Sequence, residues 1–296
     1  MSAASTGLVV VAHRRHFRIH LDDGFDIECV QRGRAQQVAC GDRVRVSMIA
    51  GGGVVDAVLP RTSLFRRSDA FHDKAIAANV TQVVAVVAPD VAVDEYLLNR
   101  WIIAAEAQGC RFVLVANKDD LPSFAPLHAR MQFYATLGYP LVALSARHSV
   151  ATLAPHLAGQ HSVLIGQSGM GKSTIVNALA PEAAARVGGL SSALGSGKHT
   201  TTVSTLYRLP GLDDGWVVDS PGVKAFGIAQ YDADALAHAF VEMRPLLGSC
   251  RFRDCRHLHE PGCAIQAAAA AGAIAPQRLA LFHTLVDEAR MARAHH

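Results

Sequence analysis

One run of small and charged residues has the spacing of a phosphate-binding loop. Residues 166–173 read GQSGMGKS and match the pattern G-x-x-x-x-G-K-[ST]. An apolar segment of strand type precedes this run, and residues 173–180 have helical character that ends near Pro181. A chance Gly/Ser-rich turn is the alternative, but the strand, loop and helix in this order favour a nucleotide phosphate site. The predicted phosphate-binding residues are Gly166, Gln167, Ser168, Gly169, Met170, Gly171, Lys172, Ser173 and Thr174.

A second motif predicts how a magnesium ion is held. Lys172 can reach the β- and γ-phosphates, and the hydroxyl of Ser173 can bind Mg²⁺. Downstream, the apolar residues Trp216, Val217 and Val218 lead into a D-x-x-G motif that starts at Asp219 and ends at Gly222. We expect Asp219 to bind Mg²⁺ directly or through water, and the N–H of Gly222 to contact the γ-phosphate.

A third motif predicts which base is bound. Residues 117–120 read N-K-D-D after an apolar strand and match N-K-x-D. The Asp120 carboxylate can accept hydrogen bonds from N1–H and the 2-amino group of guanine. Adenine lacks that amino group and would leave a desolvated charge unpaired, so ATP should be rejected. The predicted base-binding residues are Asn117, Lys118, Asp119, Asp120, Ser145 and Ala146.

The order of the motifs predicts the fold. Strands alternate with helices through residues 68–228, which is typical of a doubly wound α/β sheet with its ligand at the carboxyl ends of the strands. Ordinary GTPases have the phosphate loop first, whereas here the guanine motif comes first. We therefore predict a circularly permuted P-loop GTPase domain, because permutation preserves a sheet when the old termini lie close together.

The segment between the phosphate-loop helix and Asp219 is a candidate switch loop. Residues 187–202 are rich in Gly and Ser and end in three threonines. We expect Thr201 to complete the Mg²⁺ shell, although these threonines could simply begin a β-strand. Val223 cannot orient an attacking water, so intrinsic hydrolysis should be slow. Our hypothesis is that His199 supplies the missing group, with Lys172 and Thr201 completing the catalytic set; a mobile loop histidine is the alternative.

A cluster of cysteines near the end of the chain predicts a metal site. Three Cys and two His lie within fourteen residues, and three Cys with one His suit a closed tetrahedral Zn²⁺ site. His259 also lies within reach, but the other four residues already fill the four positions. A redox dithiol is the competing interpretation, but no C-x-x-C spacing is present. The expected zinc ligands are Cys250, Cys255, His257 and Cys263.

The first 66 residues predict a small β-barrel of the OB type. About five short strands with turn signals fit such a barrel, which commonly binds single-stranded nucleic acid. The net charge is only +3, but residues 1–67 contain ten Arg against six Asp and Glu. A solvated surface without a ligand explains the charge equally well. Residues 61–67 are expected to be a basic linker. The candidate basic face contains Arg14, Arg15, Arg18, Arg32, Arg34, Arg43 and Arg45.

Together these motifs resemble the bacterial small-ribosomal-subunit biogenesis GTPases, the RsgA/YjeQ family. The resemblance implies an OB-like barrel over residues 1–66, a permuted GTPase domain over 67–228, and a helical zinc domain over 229–296. It also implies slow GTP hydrolysis stimulated by the 30S subunit, a role in late maturation of that subunit, and contacts with 16S rRNA. The expected cofactors are one structural Zn²⁺ and Mg²⁺ with GTP.

Two other functional classes remain open from the residues alone. Lys172 and Ser173 fit equally well a nucleotide-gated RNA-binding module in which hydrolysis is incidental. A zinc-dependent redox protein with a vestigial nucleotide fold is the third. We expect a cytoplasmic monomer without a membrane partner, because no apolar run approaches the length of a membrane span.

Overall fold

The computed structural model divides the chain into two compact units. The first comprises residues 1–93 and 111–224, and the second comprises residues 94–110 and 225–296. Within the described residues, no helix has the length and apolar character needed to cross a membrane. The structure describes residues 5–31, 37–69, 72–181, 203–219, 226–228 and 230–294.

The first unit begins with the predicted five-stranded barrel. Its core contains the inward-facing residues that alternate along each strand, including Phe17, Ile19 and Val44, each at most 1% exposed. The barrel closes because β1 pairs with both β2 and β4, while β3 and β5 connect the other neighbours. The strands are β1 Ser5–His13, β2 His16–Leu21, β3 Asp26–Gln31, β4 Arg43–Ile49 and β5 Gly52–Val58.

The prediction that residues 61–67 form a basic linker was wrong. Residues Leu64–Asp69 form strand β6, which pairs antiparallel with β7, His72–Ala78. Burial explains the difference: Phe65 is fully buried, and Ile76 on the opposite strand is 4% exposed. These apolar side chains leave water when the hairpin forms, which outweighs the charge of the neighbouring arginines.

The central sheet has the predicted α/β architecture. Its strands run in the order β10-β9-β8-β11-β13-β12, and all neighbours are parallel except the β12–β13 pair. Every residue of β8 is buried, as expected for a strand covered on both faces. The parallel strands therefore end at one common edge. The bounds are β8 Gln82–Val87, β9 Arg111–Asn117, β10 Leu141–Leu144, β11 His161–Ile165, β12 Ser204–Arg208 and β13 Trp216–Asp219.

The barrel and the central sheet are continuous. Strand β1 pairs antiparallel with β12 through Val11 opposite Thr205 and Ala12 opposite Ser204. The buried thiol of Cys40 donates a hydrogen bond to the Ser204 carbonyl at 3.0 Å. The strand that follows the candidate switch loop is thus held by the barrel on one side and by β13 on the other.

The helices are divided between the two units. In the first unit, α2 spans Phe124–Thr136, α3 spans Ala154–Leu157 and α4 spans Lys172–Leu179. The second unit contains α1, Glu95–Glu106, and the C-terminal helices. These C-terminal helices are α5 Ala233–Ala239, a 3₁₀ turn Arg244–Leu246, α6 Ala264–Ala270 and α7 Pro276–Ala294.

One helix is shorter than the sequence predicts. The sequence predicts a helical stretch from Asp232 to Leu247, but α5 ends at Ala239 because Phe240 adopts an extended backbone with φ −88° and ψ 103°. Phe240 is fully buried, and its ring stacks edge-on against Phe282 at 5.6 Å. Pro245 then starts a separate turn, since proline cannot continue a helix interior.

A buried hydrogen bond and a partly exposed ion pair join α1 to α7. The Arg278 side chain is 1% exposed and donates to Glu242 at 2.6 Å and to Asn99 at 2.6 Å. Arg100 donates to Glu288 and, through Nε, to the Phe226 carbonyl at 2.7 Å. Helix α1 follows a strand of the central sheet in sequence but belongs to the second unit in packing.

Candidate functional site

Two of the predicted motifs meet at the carboxyl edge of the central sheet. The side-chain amide of Asn117 donates to the Met170 carbonyl at 2.9 Å. The ammonium of Lys118 donates to the Gly169 carbonyl at 2.7 Å. These contacts span more than fifty positions of sequence and place the guanine motif against the phosphate loop.

Asn117 also joins a third segment to this edge. Its side-chain oxygen accepts a hydrogen bond from the N–H of Ala146 at 3.0 Å. Asn117 is 2% exposed, and its side-chain amide links the guanine motif to the phosphate loop and to Ala146. The predicted base-binding residues Ser145 and Ala146 therefore lie beside Asn117 and Asp120.

The phosphate loop needs glycine at two positions for steric reasons. Gly171 has φ +94°, and a Cβ there would lie 2.2 Å from Nδ2 of Asn117. Gly166 has φ +150°, and a Cβ there would lie 2.6 Å from the Val86 carbonyl oxygen. Both separations are far below a normal contact, so only glycine allows the loop to approach β8 and β9 so closely.

Lys172 and Asp219 form the charged part of the site. The ammonium of Lys172 donates to the carbonyls of Gly166 at 2.7 Å and Gln167 at 3.0 Å. Burial lowers the pKa of Lys172, and the charge of Asp219 opposes that change. Burial likewise raises the pKa of Asp219, opposed by Lys172. A cation beside Asp219 would favour its ionised form, and the exposed Ser173 next to Lys172 offers a second oxygen ligand.

The Asp120 carboxylate is exposed at the same edge. The nearby Ser145 hydroxyl lowers the pKa of Asp120, with weaker contributions from His148 and Arg147. The buried Ser145 hydroxyl has no well-aligned hydrogen-bond partner among the described residues, so we attribute this effect to its proximity. Asp119 is also exposed, and its N–H donates to the Leu144 carbonyl at 3.2 Å.

One residue at this edge was not predicted from the sequence. A carboxylate oxygen of Asp90 lies 2.6 Å from the Lys118 ammonium. Asp90 lies three residues after the end of β8, and a search for polar residues near the carboxyl end of a buried strand could have found it.

Several predicted residues lie outside the part of the chain that the structure describes. They belong to the candidate switch loop, to the end of the D-x-x-G motif and to the barrel. Their roles stay predictions. They are His199, Thr201, Gly222, Val223, Arg32 and Arg34.

The predicted metal ligands come together in the second unit. The four ligand atoms of Cys250, Cys255, His257 and Cys263 all lie within 4.8 Å of one another. Nδ1 of His257 is 3.5 Å from the sulfur atoms of both Cys250 and Cys263, which are 3.9 Å apart. A tetrahedral Zn²⁺ with Zn–S bonds of about 2.3 Å would separate its ligand atoms by about 3.6–3.8 Å. The cluster can therefore hold a metal ion of this kind.

The loop around the cluster is shaped to present its ligands. The Glu260 carboxylate accepts hydrogen bonds from the N–H groups of Arg256, Leu258 and His259 at 2.9–3.1 Å. His257 has φ +63°, and its carbonyl accepts a hydrogen bond from Gln266 at 3.0 Å. None of the six cysteines is in a disulfide. Burial raises the pKa of the Cys255 thiol, so a thiolate there requires a bound cation.

The candidate basic face of the barrel is partly neutralised. Arg18 pairs with Glu28 at 2.8 Å and Arg43 pairs with Asp22 at 2.7 Å. The exposed arginines with no ion pair within the described residues include Arg14, Arg15 and Arg45 on the barrel, and Arg251, Arg253 and Arg256 on the metal loop.

Comparison with known proteins decides the family. Residues 58–229 match the family model described as RsgA GTPase. The chain belongs to the RsgA GTPase family. A relative in the family from Nitrosomonas europaea, named small ribosomal subunit biogenesis GTPase RsgA, is 46% identical over 95% of this chain and 90% of its own length. A relative of the same name from Neisseria gonorrhoeae is 44% identical over 96% of this chain and 92% of its own length.

Two solved structures resemble the fold over nearly the whole chain. The crystal structure of YjeQ from Thermotoga maritima has a TM-score of 0.70 at 29% identity and covers 97% of this chain and 99% of its own. YloQ, described as a circularly permuted GTPase, has a TM-score of 0.69 at 23% identity, which supports the fold alone. The predicted fold class, a permuted P-loop GTPase domain with a barrel and a C-terminal metal-binding element, is confirmed.

Proposed function

We propose that this protein hydrolyses GTP to GDP and phosphate during late maturation of the small ribosomal subunit. The nucleotide site is supported most directly by the contact between two motifs that occur in permuted order. Asn117 donates a hydrogen bond to the Met170 carbonyl at 2.9 Å, and Lys118 donates one to the Gly169 carbonyl at 2.7 Å. Family membership supports the ribosomal role, since the relatives are named for it.

The chemistry of each predicted site residue indicates its role. Asp120 recognises guanine through its carboxylate, and Lys172 stabilises the β- and γ-phosphates. Ser173 and Asp219 bind Mg²⁺, with Thr201 as the further ligand, and the Gly222 N–H contacts the γ-phosphate. Mg²⁺ would neutralise charge that develops on the phosphates during hydrolysis.

We propose that hydrolysis by the isolated protein is slow. Val223 cannot hydrogen-bond an attacking water, so the isolated protein lacks one catalytic group. His199 would supply that group when the small subunit orders residues around it. GTP would favour the bound state, and hydrolysis would release the protein.

We assign the other two segments to RNA. Residues 1–66 and 229–296 flank the GTPase domain at 67–228, and both present exposed arginines that fit phosphate groups of 16S rRNA. One Zn²⁺ held by the Cys₃His cluster would fix the fold of the C-terminal loop. We expect the protein to act as a cytoplasmic monomer.

The decisive experiment measures GTP turnover with and without purified 30S subunits, using 50S subunits as the control. Stimulation by 30S alone supports the proposal, and His199→Ala should abolish that stimulation while GTP binding is unchanged. Co-sedimentation that depends on a non-hydrolysable GTP analogue, with no stimulation of turnover, would favour a nucleotide-gated RNA-binding module instead.

A further inference from the structure

A carboxylate outside the known motifs holds the guanine-motif lysine in place. Asp90 lies in the loop after β8, and one of its carboxylate oxygens is 2.6 Å from the Lys118 ammonium. The same ammonium donates to the Gly169 carbonyl at 2.7 Å. Lys118 is therefore held between two protein acceptors, one on the loop after β8 and one on the phosphate loop.

We propose that Asp90 is a positioning residue for guanine-nucleotide binding, acting through Lys118. The inference rests on the proposed function, because it takes the guanine motif and the phosphate loop as the nucleotide site. The Lys118 backbone directly follows β9 in the guanine motif, while its ammonium contacts Gly169, so its methylene stem extends from that motif to the phosphate loop. Such a stem offers apolar surface to a flat base while its charged end stays paired.

The position of Lys118 needs external support. Its backbone has φ +65°, a left-handed conformation that is unfavourable for a residue with a Cβ. Ordering a free lysine side chain costs rotamer entropy. Because two fixed acceptors already order Lys118 in the free protein, less of this entropy is lost when a nucleotide binds, and the affinity is higher.

The charges around Asp90 favour a bound ammonium. The hydrogen bond from Lys118 lowers the pKa of Asp90, and the positive charge of Arg147 lowers it further. Asp90 is thus ionised at neutral pH and faces two cations. A carboxylate this close to the phosphate loop could also repel nucleotide phosphates. Removing a positioning carboxylate lowers nucleotide affinity, whereas removing a repelling carboxylate raises it, so affinity measurements distinguish the two roles.

The test compares Asp90→Ala, Asp90→Asn and Asp90→Glu by their dissociation constants for GDP and GTP. Loss of an exposed ion pair should raise Kd by about 2- to 5-fold, by the same factor for both nucleotides, because the contact lies at the base end that they share. Glu should restore much of the affinity. The value of kcat at saturating GTP should not change. The control is Asp213→Asn, an exposed carboxylate in the turn before β13, at the opposite end of the strands.

Three results would overturn the inference. Asp90→Ala with unchanged or lower Kd would remove the positioning role. A larger effect on GTP than on GDP would indicate phosphate repulsion or attraction instead. If Asp90→Ala lowers the thermal midpoint of the ligand-free protein enough to explain the lost affinity, Asp90 stabilises the fold and does not position Lys118. Failure of the unmodified protein to bind GDP would contradict the proposed function itself.

Discussion

Gly171 offers a sharp test of how the phosphate loop packs on the guanine motif. A Cβ at Gly171 would lie 2.2 Å from Nδ2 of Asn117, and the backbone there has φ +94°. Gly138 has the same φ of +94° but nothing within 4 Å of its Cβ position. Gly171→Ala and Gly138→Ala therefore share the backbone cost and differ in the contact with Asn117.

The magnitudes follow from these two terms. A left-handed alanine costs about 1 kcal/mol, so Gly138→Ala should lower the thermal midpoint by roughly 2–4 °C. In Gly171→Ala the Asn117 amide must also retreat and lose its hydrogen bond to Met170, which adds about 1–3 kcal/mol for a buried unpaired group. The total of roughly 2–4 kcal/mol predicts a fall of about 4–16 °C, together with weaker GDP binding.

The assay is thermal unfolding of each variant, with GDP affinity measured in parallel. Asn117→Ala removes the clashing amide, so adding Gly171→Ala to it should cost no more than Gly138→Ala. GDP affinity should be unchanged in Gly138→Ala. The reasoning is refuted if Gly171→Ala and Gly138→Ala destabilise equally, or if the extra cost of Gly171→Ala persists without the Asn117 amide.

Three further predictions concern the second unit. Cys255→Ala should reduce bound zinc from one per chain to none by elemental analysis and lower the midpoint of this unit, whereas Cys29→Ala in the barrel should keep the metal. Glu242→Ala leaves the buried Arg278 without its carboxylate and should cost about 3–5 kcal/mol in denaturant unfolding; Glu106→Ala, whose partner Arg244 is exposed, should cost below about 1 kcal/mol. Burial opposes ionisation of Glu260, but backbone N–H groups lower its pKa from 4.5 to about 2. The ionised carboxylate therefore stabilises the folded protein fully above pH 4.5, and this stabilisation is lost as the pH falls through about 2. The stability difference between the unmodified protein and Glu260→Gln should shrink over that range, and a difference that grows there would contradict this assignment.

The sequence predicted the architecture because its strongest signals are local. Each motif follows an apolar strand, and the carboxyl ends of parallel strands must meet at one edge of the sheet. The comparisons with known proteins confirm the fold class and the family that these signals predicted. The four metal ligands lie within fourteen residues, so their spacing alone indicated a common site.

The features that the sequence did not predict depend on long-range contacts. Residues 61–67 were interpreted as a linker because arginines dominate their composition, whereas burial of Phe65 accompanies the pairing of Leu64–Asp69 with His72–Ala78. Asp90 pairs with Lys118 across 28 positions, and no local pattern links them. The packing of α1 with the C-terminal helices likewise depends on Arg278 and Asn99, which are 179 positions apart.

The most direct test of a single guanine-nucleotide site is Asp120→Asn. An amide at this position can donate to the 2-oxo group of xanthine but loses its second acceptor for guanine. We predict that the variant loses GDP affinity and gains affinity for xanthosine diphosphate, measured by calorimetry against the unmodified protein. Unchanged GDP affinity in Asp120→Asn would contradict the account, because Asp120 would then lie outside the pocket that contains Lys172.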